Sequence, residues 1–298
     1  MKLLRSCRPI LTLLLVAACE RAKQPAPADS EHAAVAAASD TSASAASNSN
    51  WDESAGPVLL VAGESPASAS VVVPDAAQIG TTLAAIPHPA DVTLFGRGGT
   101  VQRAEIPTLD DSGDCTVASL DAAPPPRPWN VGFIGGVVSP IGMDSAESLS
   151  HADSAMLVAG VTRLASALPN DSAGRFAGLP FVVHAVWRFS IPNGNQVVVG
   201  NLARQINQEA TPLQERTLLV AERTAADTTL TLGYSERAYG TEDSVESFEV
   251  LFAAVLGSSK TPALVVSRDY GDSIAYGLLE RGDDGHWRAR WSSTQRHC

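Results

Sequence analysis

Between Phe181 and Trp291 the sequence runs as eight apolar segments joined in pairs by short polar turns, a rhythm that commits a chain to antiparallel β-structure. Phe181–Ser190 and Gln196–Ile206 flank Pro192-Asn193-Gly194, and Asn-Gly is the strongest short hairpin signal. Arg216–Arg223 and Thr229–Arg237 flank a polar loop around Asp227. Phe248–Leu256 and Ala263–Arg268 flank Gly257-Ser258-Ser259-Lys260. Ile274–Arg281 and His286–Trp291 flank Gly282-Asp283-Asp284-Gly285.

One helix precedes these hairpins. Ser150 is a good N-cap, Asp153 stands three residues on, and Pro169 stops the run. Ala155, Met156, Ala159, Leu164, Ala167 and Leu168 supply an apolar stripe, which predicts a helix at about 151–168. Upstream, candidate strands are Val58–Ala62, Ser70–Val73, Val92–Phe95, Thr100–Glu105 and Thr116–Leu120. Gly96-Arg97-Gly98-Gly99 reads as a turn between two of them. Trp129–Val138 reads as one further strand. The expected fold class is α+β, mainly antiparallel β hairpins with one principal helix. Residues 51–122 form a small β-rich region and 129–298 an α+β region, and the two can share one globule. The proline-rich stretch Ala122–Pro128 marks the boundary, since a central strand does not tolerate it.

The amino terminus has a different character. Lys2, Arg5 and Arg8 precede the apolar run Ile10–Ala18, which is too short to span a bilayer as a helix of about 20 residues. Val16-Ala17-Ala18-Cys19 then resembles the lipobox of bacterial lipoproteins: a branched apolar residue, two small residues and a cysteine. The resemblance implies a signal peptide at 1–18, a diacylglyceryl thioether on Cys19, and an amine freed by cleavage that is acylated in turn. Two or more acyl chains give stable membrane attachment where one does not. Glu20 is no clear inner-membrane retention signal, which favours the outer membrane. Residues 19–50, mostly Ala, Ser and Pro with no aromatic residue, read as a disordered tether. Losing the three leader cations takes the formal charge from −11 to −14, so phosphate surfaces repel the mature chain. Nucleic acid is excluded as a partner, and membrane contact is left to the lipid.

On this reading Cys7 leaves with the leader and Cys19 carries lipid. Cys115 and Cys298 remain as a pair in an oxidising compartment, and a disulfide between them is expected. Chain-entropy arguments give so long a loop about 4–5 kcal/mol.

The common catalytic signatures are missing from the sequence. Gly233-Tyr234-Ser235-Glu236-Arg237 fails the G-x-S-x-G pattern at its last position, and no H-E-x-x-H, C-x-x-C, S-x-x-K or Walker A pattern occurs. No two histidines stand at metal-ligand spacing, so neither a metal nor a cofactor is expected. Asp283-Asp284 reads as turn chemistry. The last two hairpins weakly resemble the FG-GAP repeats of β-propellers, through the strand Ala263-Leu264-Val265-Val266. The preceding loop has no carboxylate for calcium, and eight strands fall short of the sixteen or so of a minimal propeller.

His184 has the most definable setting. A two-residue turn at Asn193-Gly194 pairs residues whose numbers sum to 387. That register puts His184, Arg188, Asn201 and Gln205 on one strand-pair face among valines, a candidate site for a small polar or anionic ligand. The leading expectation is a lipid-anchored envelope protein, a non-catalytic binding or structural module whose partner is an envelope protein or a small polar ligand. The alternatives are an envelope hydrolase with His184 as general base and a degenerate β-repeat adhesion module.

Overall fold

The computed structural model describes residues 58–72, 83–84, 86–111, 115–169, 174–207 and 212–293. The signal peptide, Cys19 and the tether lie outside them. The chain is 53% strand and 10% helical, so the fold is largely β and the α+β expectation is corrected. Part of the reason is that strands of two to four residues carry too little periodicity to be read in sequence. The segment Trp129–Val138 shows this, splitting at Gly135-Gly136 (φ 71° and 73°) into two strands that enter different sheets.

The first sheet holds β1 (Val58–Ala62), β2 (Ser68–Val72), β3 (Ala90–Phe95), β4 (Val101–Ile106), β5 (Leu109–Asp110), β6 (Val117–Ser119) and β7 (Val131–Ile134). Its order is β4-β3-β7-β1-β2-β6-β5. β7 therefore follows the proline-rich segment in sequence and returns to the middle of the same sheet. Glu105 and Asp121 exchange both backbone hydrogen bonds at 2.8 Å, which joins β4 to the chain just beyond β6 and curls the sheet into a barrel. Leu60, Val71, Val92, Leu94, Ile106 and Ile134 fill its interior.

Two five-stranded antiparallel sheets follow. The inner sheet, order β17-β16-β15-β14-β8, comprises β8 (Val138–Ile141), β14 (Ser247–Leu256), β15 (Thr261–Asp269), β16 (Ile274–Arg281) and β17 (Trp287–Ser292). The outer sheet, order β13-β12-β11-β10-β9, comprises β9 (Asp144–Ser145), β10 (Val182–Ser190), β11 (Gln196–Ile206), β12 (Leu213–Arg223) and β13 (Thr231–Thr241). The two meanders stack face to face, with Val197, Val199, Leu218 and Val220 against Val250, Leu264 and Val266. Propeller blades would instead stand radially around a channel. The other face of the inner sheet meets the barrel through Phe95, Phe133 and Phe252, whose ring centroids lie 5.1–6.2 Å apart. Burial on both faces explains why β14 and β15 read as continuous apolar runs.

Helix α1 (His151–Ala167) covers the outer sheet. Ser150 caps it, its hydroxyl accepting from the Asp153 N–H at 3.2 Å. The buried face is Leu157, Gly160, Val161 and Ala165 rather than the expected stripe, and Met156 is 44% exposed. A Cβ on Gly200 would stand 3.1 Å from the Val161 side chain, so the bare glycine lets the helix settle onto the sheet.

Candidate functional site

The β10–β11 hairpin controls where the expected site residues go. Its turn is a three-residue loop, Pro192-Asn193-Gly194, with Gly194 at φ +83° and Ile191 N–H donating to Asn195 O at 3.0 Å. Ser190 therefore pairs with Gln196 and the paired numbers sum to 386, not 387. A one-residue slip moves side chains to the opposite face. A second irregularity, a bulge at His184, shifts the register again between Val183 and Ala185.

The four expected ligand-binding residues accordingly do not share one face. Asn201, opposite Ala185, lies on the face that carries Trp187 and Phe189. Its Nδ2 donates to Phe248 O of the inner sheet, and its buried Oδ1 has no hydrogen-bond partner among the described residues. Arg188, opposite Val198, lies on the helix-side face and pairs with Asp144 at 3.3 Å. Gln205 is exposed near the far end of β11, and His184 projects from the bulge.

His184 does line a cavity of about 270 Å³, beside Val183, Ala185, Val186 and Trp187 of β10. Ser145 and Glu147 form part of its opposite bank, with Ser154 and Val158 of α1 above. Burial, with the Arg216 charge second, holds the His184 imidazole below its ordinary pKa. A hydrolytic base would need a carboxylate to orient and stabilise the ring. Among the described residues no carboxylate or hydroxyl hydrogen-bonds His184. A separate cleft of about 660 Å³ passes Asp144 and Arg188. Trp187 of the first cavity carries the Arg97 guanidinium, from the Gly96–Gly99 loop, 4.6 Å from its ring centroid, and Arg97 pairs with Glu249 at 2.5 Å.

Elsewhere, two buried carboxylates and one half-buried one are held by arginines. Glu215 takes Arg204 in a two-bond contact at 3.0 and 3.1 Å. Glu222 accepts from Arg281, Trp287 and Asn195. Glu236 accepts two bonds from Arg268 at 2.8 Å and one from the Tyr234 hydroxyl at 2.7 Å. Burial alone would raise the Glu236 carboxyl, but the bonds from Arg268 and Tyr234 and the Arg268 charge outweigh it and hold the pKa down. Burial, and the bond and charge of Glu236, push the Tyr234 hydroxyl above the tyrosine range. Such carboxylates are spoken for as structural counter-ions.

Sequence reasoning missed the bank opposite β10 and the part of Arg216. Strand-edge status depends on which segments pair, and Asp144-Ser145 is too short to announce a strand. Cys115 is disulfide-bonded to a sulfur outside the described residues, and the expected partner Cys298 lies outside them too. Among the described residues there is no helix long and apolar enough to cross a membrane and no cluster of side chains that could hold a metal ion. Compared with protein families, curated proteins and solved structures, the chain matches none.

Proposed function

We propose that this chain is a lipoprotein of the bacterial cell envelope, tethered through lipid on Cys19, whose folded body is a binding or structural module. The observation that carries the reading is the ordered set of leader cations, apolar run and Val16-Ala17-Ala18-Cys19. An acidic chain repelled by anionic headgroups needs such a hook to stay at a membrane. The arginine-neutralised interior supports binding over catalysis, because Glu215, Glu222 and Glu236 are already committed to cations. Cys298 is the proposed partner of Cys115, pinning the carboxyl terminus.

The test is metabolic labelling with palmitate followed by membrane fractionation. The native chain takes up label and partitions with membranes, while Cys19→Ala does neither. Label-free protein, or unchanged partitioning of Cys19→Ala, would overturn the reading. Non-reduced peptide mapping should recover a fragment linking Cys115 to Cys298.

A further inference from the structure

We propose that the open edge of β10, Val182–Val186, takes up an extended peptide segment of a partner protein as an added strand, with an acidic residue of that segment at the His184–Arg216 end. The inference rests on the binding half of the reading above and specifies its ligand.

The chain itself begins to cover this edge. β9 pairs Ser145 with Trp187 and Asp144 with Arg188, and then leaves into a 3-10 turn at Ala146–Ser148. The sheet ends there, and among the described residues no strand pairs with Val182–Val186 on that side. An incoming strand would therefore continue an interface the protein already makes with itself. The cavity geometry agrees. Side chains alternate across a strand, so a cavity on one face takes every second residue. This one is lined by Val183, His184, Ala185, Val186 and Trp187 in succession, so it runs along the backbone edge. α1 supplies the opposing wall, giving a strand–helix groove.

The edge presents N–H and C=O groups at strand spacing, and extended backbone is what matches them. At about 270 Å³ the space lies just under the ~300 Å³ lower end of small-molecule pockets. Val182, 61% exposed, is the most exposed large hydrophobic residue described, and a strand laid along the edge would cover it. Charge sets the polarity. Among the described residues the side-chain partner of Arg216 is the neutral Gln214, which leaves its charge to meet an acidic group of the segment. Glu147 lines the same groove and repels an acidic residue beside it, which leaves the Val182–His184 end for that residue. The bulge at His184 breaks the flat pairing that two copies of this edge would need.

The test uses the full chain in detergent and a fluorescein-labelled extended peptide, acetyl-Glu-Val-Thr-Val-Thr-Val-amide, followed by anisotropy. Saturable binding is expected, weakened about tenfold by N-methylating one alternate set of amides and little changed by methylating the other, since only one set meets the edge. Val158→Trp, which fills the groove from the helix, weakens it similarly. Arg216→Glu does so too and is rescued by a peptide with Lys in place of Glu. Circular dichroism checks that both variants fold. No saturable binding at millimolar peptide, equal effects of both methylation patterns, indifference to Val158→Trp, or a dimer that buries this edge would each overturn the proposal. None of these outcomes touches Cys19, so the anchor reading stands or falls separately.

Discussion

The Arg204–Glu215 pair offers the sharpest test of how the sandwich is held together. The two residues are direct cross-strand neighbours on β11 and β12, joined by two hydrogen bonds at 3.0 and 3.1 Å. Their side chains are only 7% and 1% exposed. The guanidinium also stacks on Phe181 at 4.9 Å and Phe176 at 5.7 Å. Removing one partner leaves the other charge buried without its counter-ion, a loss of about 3–5 kcal/mol. Glu215→Leu should fall at the upper end. Arg175 stacks on Phe176 and Tyr239 in the same cluster, so a second positive charge shares the Phe176 ring with Arg204. For a domain of about 150–250 residues, each kcal/mol shifts Tm by about 2–4 °C, which makes either single variant about 6–20 °C less stable. The double variant Arg204→Met with Glu215→Leu removes both desolvation costs. It forfeits stacking worth about 0.5–2 kcal/mol and should lie within about 2 kcal/mol of the native chain. Calorimetry and urea unfolding of the three variants complete the cycle. Single losses under about 1 kcal/mol, as for a surface pair, or a double variant as unstable as the two singles summed, would refute the reasoning.

Other outcomes follow from the same structure. Glu222→Ala strands Arg281, the Trp287 indole N–H and Asn195, and should cost about 3–5 kcal/mol in urea unfolding, with a changed near-ultraviolet signal from Trp287. In an NMR titration His184 should protonate below 6.5, and Arg216→Gln should raise its midpoint part of the way by removing the second cause while leaving burial in place. Burial, with the Glu236 charge second, raises the Glu246 carboxyl above 4.5. Between those two values the folded chain keeps a proton that the unfolded chain releases, so stability falls as pH rises through the window. Glu246→Gln should therefore raise Tm at pH 7 relative to the native chain and lose that advantage in acid. An advantage independent of pH would contradict the assignment.

What sequence could resolve was local. β1, β11 and β16 begin and end where their apolar runs do, and α1 ends one residue short of its expected limit, because turn glycines, Ser150 and Pro169 act within a few residues. What it could not resolve depended on contacts far along the chain. The helix face was misread because alanines on both sides leave the stripe ambiguous until Gly200 receives Val161 and Leu230 packs over Gly160. The site was misread because Asn-Gly is compatible with two loop lengths. One residue of difference, followed by the bulge at His184, separated Asn201 from Arg188. The groove was illegible because its banks come from 145–158 and 183–187, and no local pattern links the two.

The treatment of the other sheet edges gives the β10 edge its significance. An open strand edge invites association, and proteins blunt it with prolines, charges, bulges or a covering segment. At β4, Pro124–Pro128 lie alongside, and Gln102 ties the segment down through two bonds to the Arg127 backbone. β5 is two residues long. β8 carries Pro140, which an edge strand tolerates. β13 carries Glu236 and Arg237 between two glycines, and β17 carries Arg288 and Arg290. Val182-Val183-His184-Ala185-Val186 has no proline and no formal charge, and past the Ala146–Ser148 turn no strand among the described residues covers its side. A bulge that stops like from pairing with like, beside a groove that runs along the same backbone, suits an edge kept for a foreign strand better than one left unprotected.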